Sequence, residues 1–287
     1  MRSYIFDIMQ KPDPCILCGA SEFIVTHQKN QWQYLCCQNC GLTSIHPRPT
    51  AQVIMQCYRN YLPEKAVEID KWKKLMQPVN RQSADLIEAR AKHKKGKLID
   101  IGCGYGFFLQ EMNIRGWDVS GIEISQTGRR FAKENMGLKV FSKPLEHLSF
   151  SSHAFDVVTL FYVIEHVLDP LFTLKEVNRI LKPDGLVLIR WPHTTPIVKI
   201  LGPLSQKFDL YHTPFHLYDF SPKTIASLLA QAEFTSIETM ITGHTRPSGR
   251  LNRYSSLLFG RIGDALFSLS KGKILLPGVS KTTLAFK

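Results

Sequence analysis

The stretch Leu98-Ile99-Asp100-Ile101-Gly102-Cys103-Gly104-Tyr105-Gly106 decides the fold of this chain. Its first four residues are mostly apolar and predict a buried strand, and the three glycines predict a tight turn before a helix over residues 107–115. Because glycine has no Cβ, a ligand can lie against this backbone, close to the free N–H groups of the helix N-terminus. The stretch therefore predicts a strand, turn and helix that together bind a ligand.

A carboxylate follows the next predicted strand. Glu123 comes directly after residues 118–122, where it would lie beside the glycine turn. A carboxylate in this place can accept hydrogen bonds from both hydroxyls of a ribose. The dinucleotide fingerprint requires glycine at position 107, which is Phe107 here, and the sequence lacks a phosphate-binding loop of the form G-x-x-x-x-G-K. The spacing therefore indicates another nucleotide cofactor, the alternative being a structural turn and a solvated strand end.

Short apolar segments alternate with helical segments from Gly96 onward, which predicts a mainly parallel sheet with helices on both faces. Asp169-Pro170 predicts the start of a helix that ends at residues 182–185, and Ser221-Pro222 starts another that runs to about Gln231. Before this domain, Pro63 and Pro78 are predicted to cut a helical region into separate helices. We predict domains at 11–49, 50–95 and 96–287, with seven strands at 97–101, 118–122, 138–141, 155–161, 186–191, 234–242 and 282–286.

The glycine turn resembles the first motif, D-x-G-x-G-x-G, of class I S-adenosylmethionine-dependent methyltransferases. The resemblance implies an α/β fold with a seven-strand Rossmann-like sheet, and S-adenosyl-L-methionine as cofactor. The matching residues are Asp100, Gly102, Gly104, Gly106 and Glu123. By this resemblance Gly102 and Gly104 pass under the methionine part of the cofactor, Asp100 helps to fix its amino group, and Glu123 holds the ribose.

Two apolar residues are implied to enclose the adenine. Ile124 packs on one face, and Leu145 lies on the other, in a segment that resembles the family's loop after strand three. Many members carry an acidic residue in that loop for the adenine amino group, where this chain has Pro144. In this chain we therefore expect Glu146 or the backbone to bind the adenine amino group.

Two Cys-x-x-Cys pairs, separated by 18 residues, predict a zinc ribbon within residues 11–49. Glycine follows each pair, and two such turns present four thiolates tetrahedrally to a structural Zn²⁺. The alternatives are buried core cysteines or a redox pair. Together with residues 46–50, His-Pro-Arg-Pro-Thr, the pairs resemble a zinc-ribbon-headed subgroup whose catalytic domain is like that of ubiquinone-biosynthesis methyltransferases. The predicted ligands are Cys15, Cys18, Cys37 and Cys40.

Histidines are the candidates for removing a proton from the methyl acceptor. His166 belongs to a Glu-His pair that resembles the family's pair after strand four, where it acts as a base or as a hydrogen-bonding group beside the cofactor. His216 opens the segment 216–221, which resembles a family pattern and forms either a substrate wall or plain packing. His193 and His212 add imidazoles nearby in the sequence.

Composition limits the function classes. Apolar residues make up 44% and charged residues 21% of the 287 residues, which argues against disorder and against a fibrous repeat. The net charge of +12 favours anionic partners such as nucleic acid or anionic lipid. No apolar run is long enough to span a membrane and the N-terminus lacks the apolar core of a signal peptide, so we expect a cytoplasmic protein.

The sequence favours a methyltransferase acting on a small molecule: a sugar, a lipid-linked compound or an aromatic metabolite, methylated on O, N or C. One alternative is an RNA methyltransferase that uses the ribbon and the basic surface for docking. Another is a non-catalytic protein that binds the cofactor. Residues 252–270 have apolar residues at helical spacing with basic neighbours, which indicates either an insert helix or a peripheral membrane contact.

Overall fold

The computed structural model describes residues 11–59, 61–93, 95–242, 262, 269–270 and 280–287. The strands are β1 Phe23–Lys29, β2 Trp32–Cys37, β3 Thr43–His46, β4 Lys97–Ile101, β5 Asp118–Ile122, β6 Lys139–Phe141, β7 Phe155–Phe161, β8 Leu181–Trp191, β9 Tyr218–Asp219, β10 Thr235–Met240 and β11 Lys281–Phe286. The α-helices are α1 Ala51–Arg59, α2 Ala66–Arg90, α3 Phe107–Ile114, α4 Gln126–Met136, α5 Pro170–Ile180, α6 Thr195–Leu201 and α7 Pro222–Gln231. Short 3₁₀ turns lie at Leu145–His147 and Gly202–Lys207.

The larger sheet has seven strands in the order β10-β11-β8-β7-β4-β5-β6. The five strands from β8 to β6 are parallel, and β11 pairs antiparallel with β8 and β10. This confirms the predicted α/β fold. The carboxyl ends of β4, β5, β7 and β8 lie at one edge of the sheet, which is where open α/β sheets bind their ligands.

Consecutive residues of β4 supply two different cores. Leu98 packs in a cluster with Leu109 of α3 and Leu188 of β8. Ile99 packs on the opposite face, in the cluster that contains Leu160. This alternation is what a strand covered by helices on both faces requires, and it explains why β4 is apolar nearly throughout.

Two predicted boundaries are wrong. The chain does not break at Pro78, because α2 continues through it from Ala66 to Arg90. The helix after the proline buries Val79 and Ile87, and this packing outweighs the one backbone hydrogen bond that proline removes. The helix predicted to end at 182–185 ends earlier, because α5 stops at Ile180 and β8 begins at Leu181. Residues 182–185 form an irregular part of β8, between the pairs Phe155–Leu181 and Val157–Leu186.

The smaller sheet joins the N-terminal segment to the rest of the chain. Its antiparallel strands run in the order β1-β2-β3-β9, and β9 comes from residues beyond the predicted ribbon. The side-chain amide of Gln231, at the end of α7, also donates to the carbonyl of Leu17 at 2.9 Å. The ribbon is thus built into the larger domain through both a shared sheet and a shared apolar core.

The predicted helix at 252–270 lies outside the described residues, apart from three isolated positions. Among the described helices, none combines the length and the apolar character needed to cross a bilayer.

Candidate active site and cysteine centre

The glycine turn after β4 depends on backbone conformations that only glycine adopts easily. Gly102, Gly104 and Gly106 all have positive φ, at +74°, +54° and +82°. The N–H groups of Gly102 and Cys103 donate to the carbonyl of Ile122 at 2.8 and 3.0 Å, which ties the turn to the end of β5. The turn is therefore held rigidly between two parallel strands.

The three glycines face different surroundings. A Cβ on Gly106 would lie 2.5 Å from Leu138 Cδ1, and one on Gly102 would lie 2.4 Å from Val163 Cγ2. A Cβ on Gly104 would meet nothing closer than Leu62 Cδ1, at 4.0 Å. Gly106 and Gly102 thus allow close packing of protein side chains. Gly104, in contrast, leaves open space in which a ligand can lie against the backbone.

Glu123 is a buried carboxylate aimed at this turn. Its Oε2 accepts from the N–H of Gly104 at 2.8 Å, and its Oε1 accepts from the N–H of Ser125 at 2.7 Å. Burial raises the pKa of Glu123. Each carboxylate oxygen can accept a second hydrogen bond, so the group retains capacity for the two hydroxyls of a ribose.

Asp100 lies on the neighbouring strand with its side chain buried. It accepts a hydrogen bond from Thr159 Oγ1 at 2.7 Å, and burial raises its pKa to about 8. The predicted adenine neighbours are Ile124, which is half-buried directly after Glu123, and Leu145, which is buried at the start of a 3₁₀ turn. Glu146 Oε1 accepts from Thr173 Oγ1 of α5 at 2.6 Å. Two buried acidic side chains beside an open glycine backbone provide oxygen atoms that can accept hydrogen bonds from the amino group and the ribose hydroxyls of S-adenosyl-L-methionine, and they fit this cofactor.

A segment that the sequence marked only by the helix break at Pro63 covers the turn. The Tyr105 hydroxyl donates to the carbonyl of Pro63 at 2.5 Å, and Thr127 Oγ1 donates to Glu64 Oε1 at 3.0 Å. Leu62, also in the connection between α1 and α2, packs with Tyr105. These are ordinary apolar and surface residues, so no motif could have marked them.

The second part of the site is a buried cluster of one carboxyl and two imidazoles: Glu165, His166 and His216. One ligand atom of each lies within 4.8 Å of the others. Glu165 is 1% exposed, and neither of its oxygens has a hydrogen-bond partner among the described residues. Burial raises the pKa of Glu165 to about 8. Sequence reasoning named both histidines but gave Glu165 no role, although the Glu-His pair itself was the signal.

The hydrogen bond of His166 determines its tautomer. Its Nδ1 is 2.8 Å from the carbonyl oxygen of Phe215, which can only accept, so Nδ1 carries the hydrogen and Nε2 holds a lone pair. Nε2 is 3.8 Å from Glu165 Oε1. Burial lowers the pKa of His166 to about 4 and that of His216 to about 2. Both imidazoles are therefore neutral near pH 7, and each neutral ring has one nitrogen with a free lone pair. With Glu165 they could also ligate a divalent cation.

Aromatic rings surround this cluster. Tyr58 meets His166 edge-on at 5.7 Å between ring centroids, and His212 lies 5.2 Å from His216. Tyr61 and Phe215 are 5.7 Å apart next to them. His193, in contrast, lies against Trp191 at 5.8 Å. The structure thus brings His166, His212 and His216 together and places His193 outside the carboxyl-imidazole cluster.

Val163 connects the two parts of the site. Its side chain packs against Gly102 so closely that a Cβ there would collide with it. The N–H of His166 donates to the Val163 carbonyl at 2.8 Å. The carboxyl-imidazole cluster therefore lies directly beside the glycine turn.

The four predicted metal ligands converge at one point. The Sγ atoms of Cys15, Cys18, Cys37 and Cys40 all lie within 4.8 Å of one another. The Cys15–Cys40 and Cys18–Cys37 sulfur distances are 3.5 and 3.6 Å, close to the roughly 3.8 Å expected for thiolates about 2.3 Å from a tetrahedral zinc ion.

The backbone supports the same arrangement. Gly19 N–H donates to the Cys15 carbonyl and Gly41 N–H to the Cys37 carbonyl, so the two turns have the same hydrogen bond. Both glycines have positive φ. The adjacent Cys36 is buried, and its thiol points to the carbonyls of Cys37 and Gly41. Four thiolates without a water position fit a closed structural Zn²⁺ site.

The strand order, the glycine turn and the buried carboxylates define the class I S-adenosylmethionine-dependent methyltransferase fold. The family model described as "Methyltransferase domain" matches residues 72–239, more than half of the chain, and the protein belongs to this family. The chain is 27% identical over 153 residues to the ubiquinone biosynthesis O-methyltransferase of Pseudomonas putida (strain GB-1), in an alignment that covers 51% of this chain and 66% of that enzyme.

Solved structures share the fold at lower identity. Phosphoethanolamine N-methyltransferase 2 of Haemonchus contortus, in complex with phosphomonomethylethanolamine and S-adenosylhomocysteine, superposes with a TM-score of 0.58 at 18% identity, covering 85% of this chain and 62% of that one. The cyclase SpnF superposes with a TM-score of 0.53 at 19% identity, covering 84% and 98%. Since an N-methyltransferase and a cyclase both have this fold, the substrate has to be argued from the site.

Proposed function

We propose that this protein transfers the methyl group of S-adenosyl-L-methionine to a hydroxyl oxygen of a compact small molecule. The observation that supports this most strongly is that a buried, neutral carboxyl-imidazole cluster lies beside the glycine turn, connected to it by Val163. A hydroxyl acceptor must lose a proton, and these imidazoles can take it. The similarity to ubiquinone biosynthesis O-methyltransferases points to the same type of acceptor.

On the cofactor side, the backbone at Gly102 and Gly104 would lie under the methionine part, and Asp100 would bind its amino group. Glu123 would accept both ribose hydroxyls, and Ile124 and Leu145 would enclose the adenine. Gly106 allows α3 to pack, so that the free N–H groups at its start stay close to the turn. Bound S-adenosyl-L-methionine supplies a methyl group that is already activated as a sulfonium, so the protein mainly has to align the acceptor and take one proton.

On the acceptor side, His216 or His166 would accept a hydrogen bond from the acceptor hydroxyl at the nitrogen that holds the lone pair, which is Nε2 in His166. As the new bond between the methyl carbon and the hydroxyl oxygen forms, that oxygen becomes positively charged and far more acidic, so even a weakly basic imidazole would take its proton. Glu165 would hold the cluster uncharged, because a buried carboxyl with a raised pKa keeps its proton. The rings of Tyr58, Tyr61 and Phe215 would exclude water from an aromatic or otherwise flat acceptor.

A compact acceptor fits these surroundings better than RNA. Glu165 is buried and His216 is half-buried, so a nucleotide within a polymer would first have to be flipped out to reach them. The ribbon, for its part, is packed into the methyltransferase domain through β9 and Gln231. We propose that its Zn²⁺ is structural, held by Cys15, Cys18, Cys37 and Cys40.

Transfer of labelled methyl from S-adenosyl-L-methionine tests this function, with 3,4-dihydroxybenzoate and the low-molecular-weight fraction of a cell extract as acceptors. We expect His216→Asn to lower the rate by about 10²–10⁴-fold, the usual contribution of a general base, while cofactor affinity stays unchanged. His153→Asn, at an exposed loop position, is the matched control. Faster transfer to RNA than to any small molecule would overturn the proposal.

The pH profile adds an independent check. Because burial lowers the pKa of His216 to about 2, its imidazole stays neutral as the pH falls through 6.5, the ordinary histidine value. The rate of methyl transfer should therefore stay constant as the pH falls below 6.5. A loss of rate centred on 6.5 would assign the base to an exposed histidine instead.

A further inference from the structure

We infer that Tyr34 of the ribbon is a positioning residue for His216, and that the cysteine centre thereby holds the acceptor side of the active site in place. The inference rests on the proposed function and adds to it a mechanical role for the ribbon. It concerns the backbone of residues 216–219, which the ribbon and the methyltransferase domain hold from opposite sides.

Tyr34 contacts this segment through its hydroxyl. The residue is fully buried in β2, and its hydroxyl lies 3.1 Å from the carbonyl oxygen of His216 and 3.4 Å from that of Tyr211, to which it can donate. Its ring stacks on the ring of Tyr211 with 4.1 Å between centroids. One ribbon side chain thus contacts both ends of the stretch from 211 to 216, through its hydroxyl at His216 and through its ring at Tyr211.

Backbone hydrogen bonds hold the next residue from both sides. The N–H of Ile45 in β3 donates to the carbonyl of Leu217 at 2.9 Å, and the N–H of Leu217 donates to the carbonyl of Glu165 at 2.8 Å. Leu217 therefore joins the ribbon sheet to the residue that carries the buried carboxyl. A shift of β2 or β3 would move His216 relative to Glu165.

The cysteine centre lies at the end of the same strand. Cys37 is the last residue of β2, three residues after Tyr34, and its N–H donates to the carbonyl of Leu42 just before β3 begins. A structural zinc ion contributes directly to folding, because its ligand geometry exists only in the folded state. Metal at this centre would fix the ends of both strands that hold residues 216–219.

The substitution Tyr34→Phe tests the link, since it keeps the stacked ring and removes one hydroxyl. A lost hydrogen bond of about 1–1.5 kcal/mol corresponds to roughly 10-fold more frequent opening of the segment. We expect about 10-fold faster amide hydrogen exchange at Leu217 and Tyr218. We also expect about 10-fold faster acylation of His216 by diethyl pyrocarbonate, measured against the exposed His153, with zinc content and cofactor affinity unchanged.

Gln33→Ala is the matched control, because Gln33 belongs to the same strand and is only half-buried. Removing zinc from the wild-type protein with a chelator should increase exchange at Leu217 at least as much, which keeps the test open if Tyr34→Phe does not fold. Unchanged exchange and acylation in both arms would overturn the inference while leaving the proposed function intact. Increased exchange without methyl transfer to any acceptor would support the link between Tyr34 and His216 and reject the proposed function. If the wild-type protein does transfer methyl groups, kcat of Tyr34→Phe should fall while its cofactor affinity stays unchanged.

Discussion

The cofactor side and the acceptor side of this molecule lie at neighbouring strand ends, yet they are built differently. The cofactor side comes from one continuous stretch, 98–106, and a carboxylate at the end of the next strand. The acceptor side combines a Glu-His pair after β7, a segment before β9 and a tyrosine from the ribbon. The first is therefore specified mainly by local sequence, whereas the second exists only once distant segments have packed together.

Loss of the metal should show the largest difference between the two sides, because it should affect the acceptor side much more than the cofactor side. We expect Cys37→Ser to abolish stoichiometric zinc binding and to destabilise the acceptor side, because structural zinc contributes on the order of 10 kcal/mol to the folding of such modules. Cofactor affinity should remain close to that of the wild type. Elemental analysis and calorimetry of S-adenosyl-L-methionine binding measure the two effects.

Cys36→Ser provides the control for this prediction, since Cys36 is the adjacent buried thiol and lies outside the four-sulfur cluster. It should retain one zinc per chain. Equal loss of zinc in both variants, or wild-type zinc content in Cys37→Ser, would contradict the assigned ligand set.

Two alanine substitutions distinguish the packing role of Gly106 from the ligand-binding role proposed for Gly104. In Gly106→Ala the new Cβ would collide with Leu138, so we expect a stability loss of about 1–3 kcal/mol from overpacking, added to the strain of a positive φ. Gly104→Ala has only the backbone strain, about 1–2 kcal/mol, but places a methyl group in the proposed ligand space. Thermal unfolding should rank Gly106→Ala as less stable, and calorimetry should rank Gly104→Ala as the weaker cofactor binder. Similar losses of both properties in both variants would show that the turn acts only as a structural unit.

The sequence predicted the larger sheet and the glycine turn because their signals are local. Apolar strands covered on both faces, glycines at positive φ and a carboxylate after β5 each depend on neighbouring residues. The assumed break at Pro78 was wrong because tertiary packing of α2 outweighed a local preference. Local rules are therefore reliable here wherever no long-range contact opposes them.

The acceptor side could be predicted only in part. The sequence marked His166 and His216, but β9 is two residues long and has no periodicity that would reveal its pairing with the ribbon. The hydrogen bond from Tyr34 to His216 spans a separation of 182 residues. Contacts of this kind depend on the three-dimensional arrangement, and no motif within either segment encodes them.

Glu123→Ala tests the carboxylate of the cofactor side. Removing hydrogen bonds to a charged acceptor costs about 1.5–3 kcal/mol, so we expect S-adenosyl-L-methionine to bind at least about 10-fold more weakly. Glu22→Ala, at an exposed ribbon position, should leave the affinity unchanged. Calorimetry that finds equal affinity for Glu123→Ala and the wild type would reject the ribose assignment.

The last test concerns Glu165 and the pH dependence of stability. Burial raises the pKa of this carboxyl from its ordinary value of 4.5 to about 8 in the folded protein, so its contribution to stability is complete below 4.5 and is lost as the pH rises towards 8. Glutamine has the shape of a protonated glutamate but does not titrate. The unfolding temperature of Glu165→Gln should therefore exceed that of the wild type at the alkaline end of this range but not at the acidic end. Glu22→Gln, which is exposed, should show no such divergence. The opposite result would be a constant difference in unfolding temperature between Glu165→Gln and the wild type from pH 4.5 to about 8. Glu165 would then be charged in the folded protein over this range, and the proposal of a neutral carboxyl-imidazole cluster on the acceptor side would be rejected.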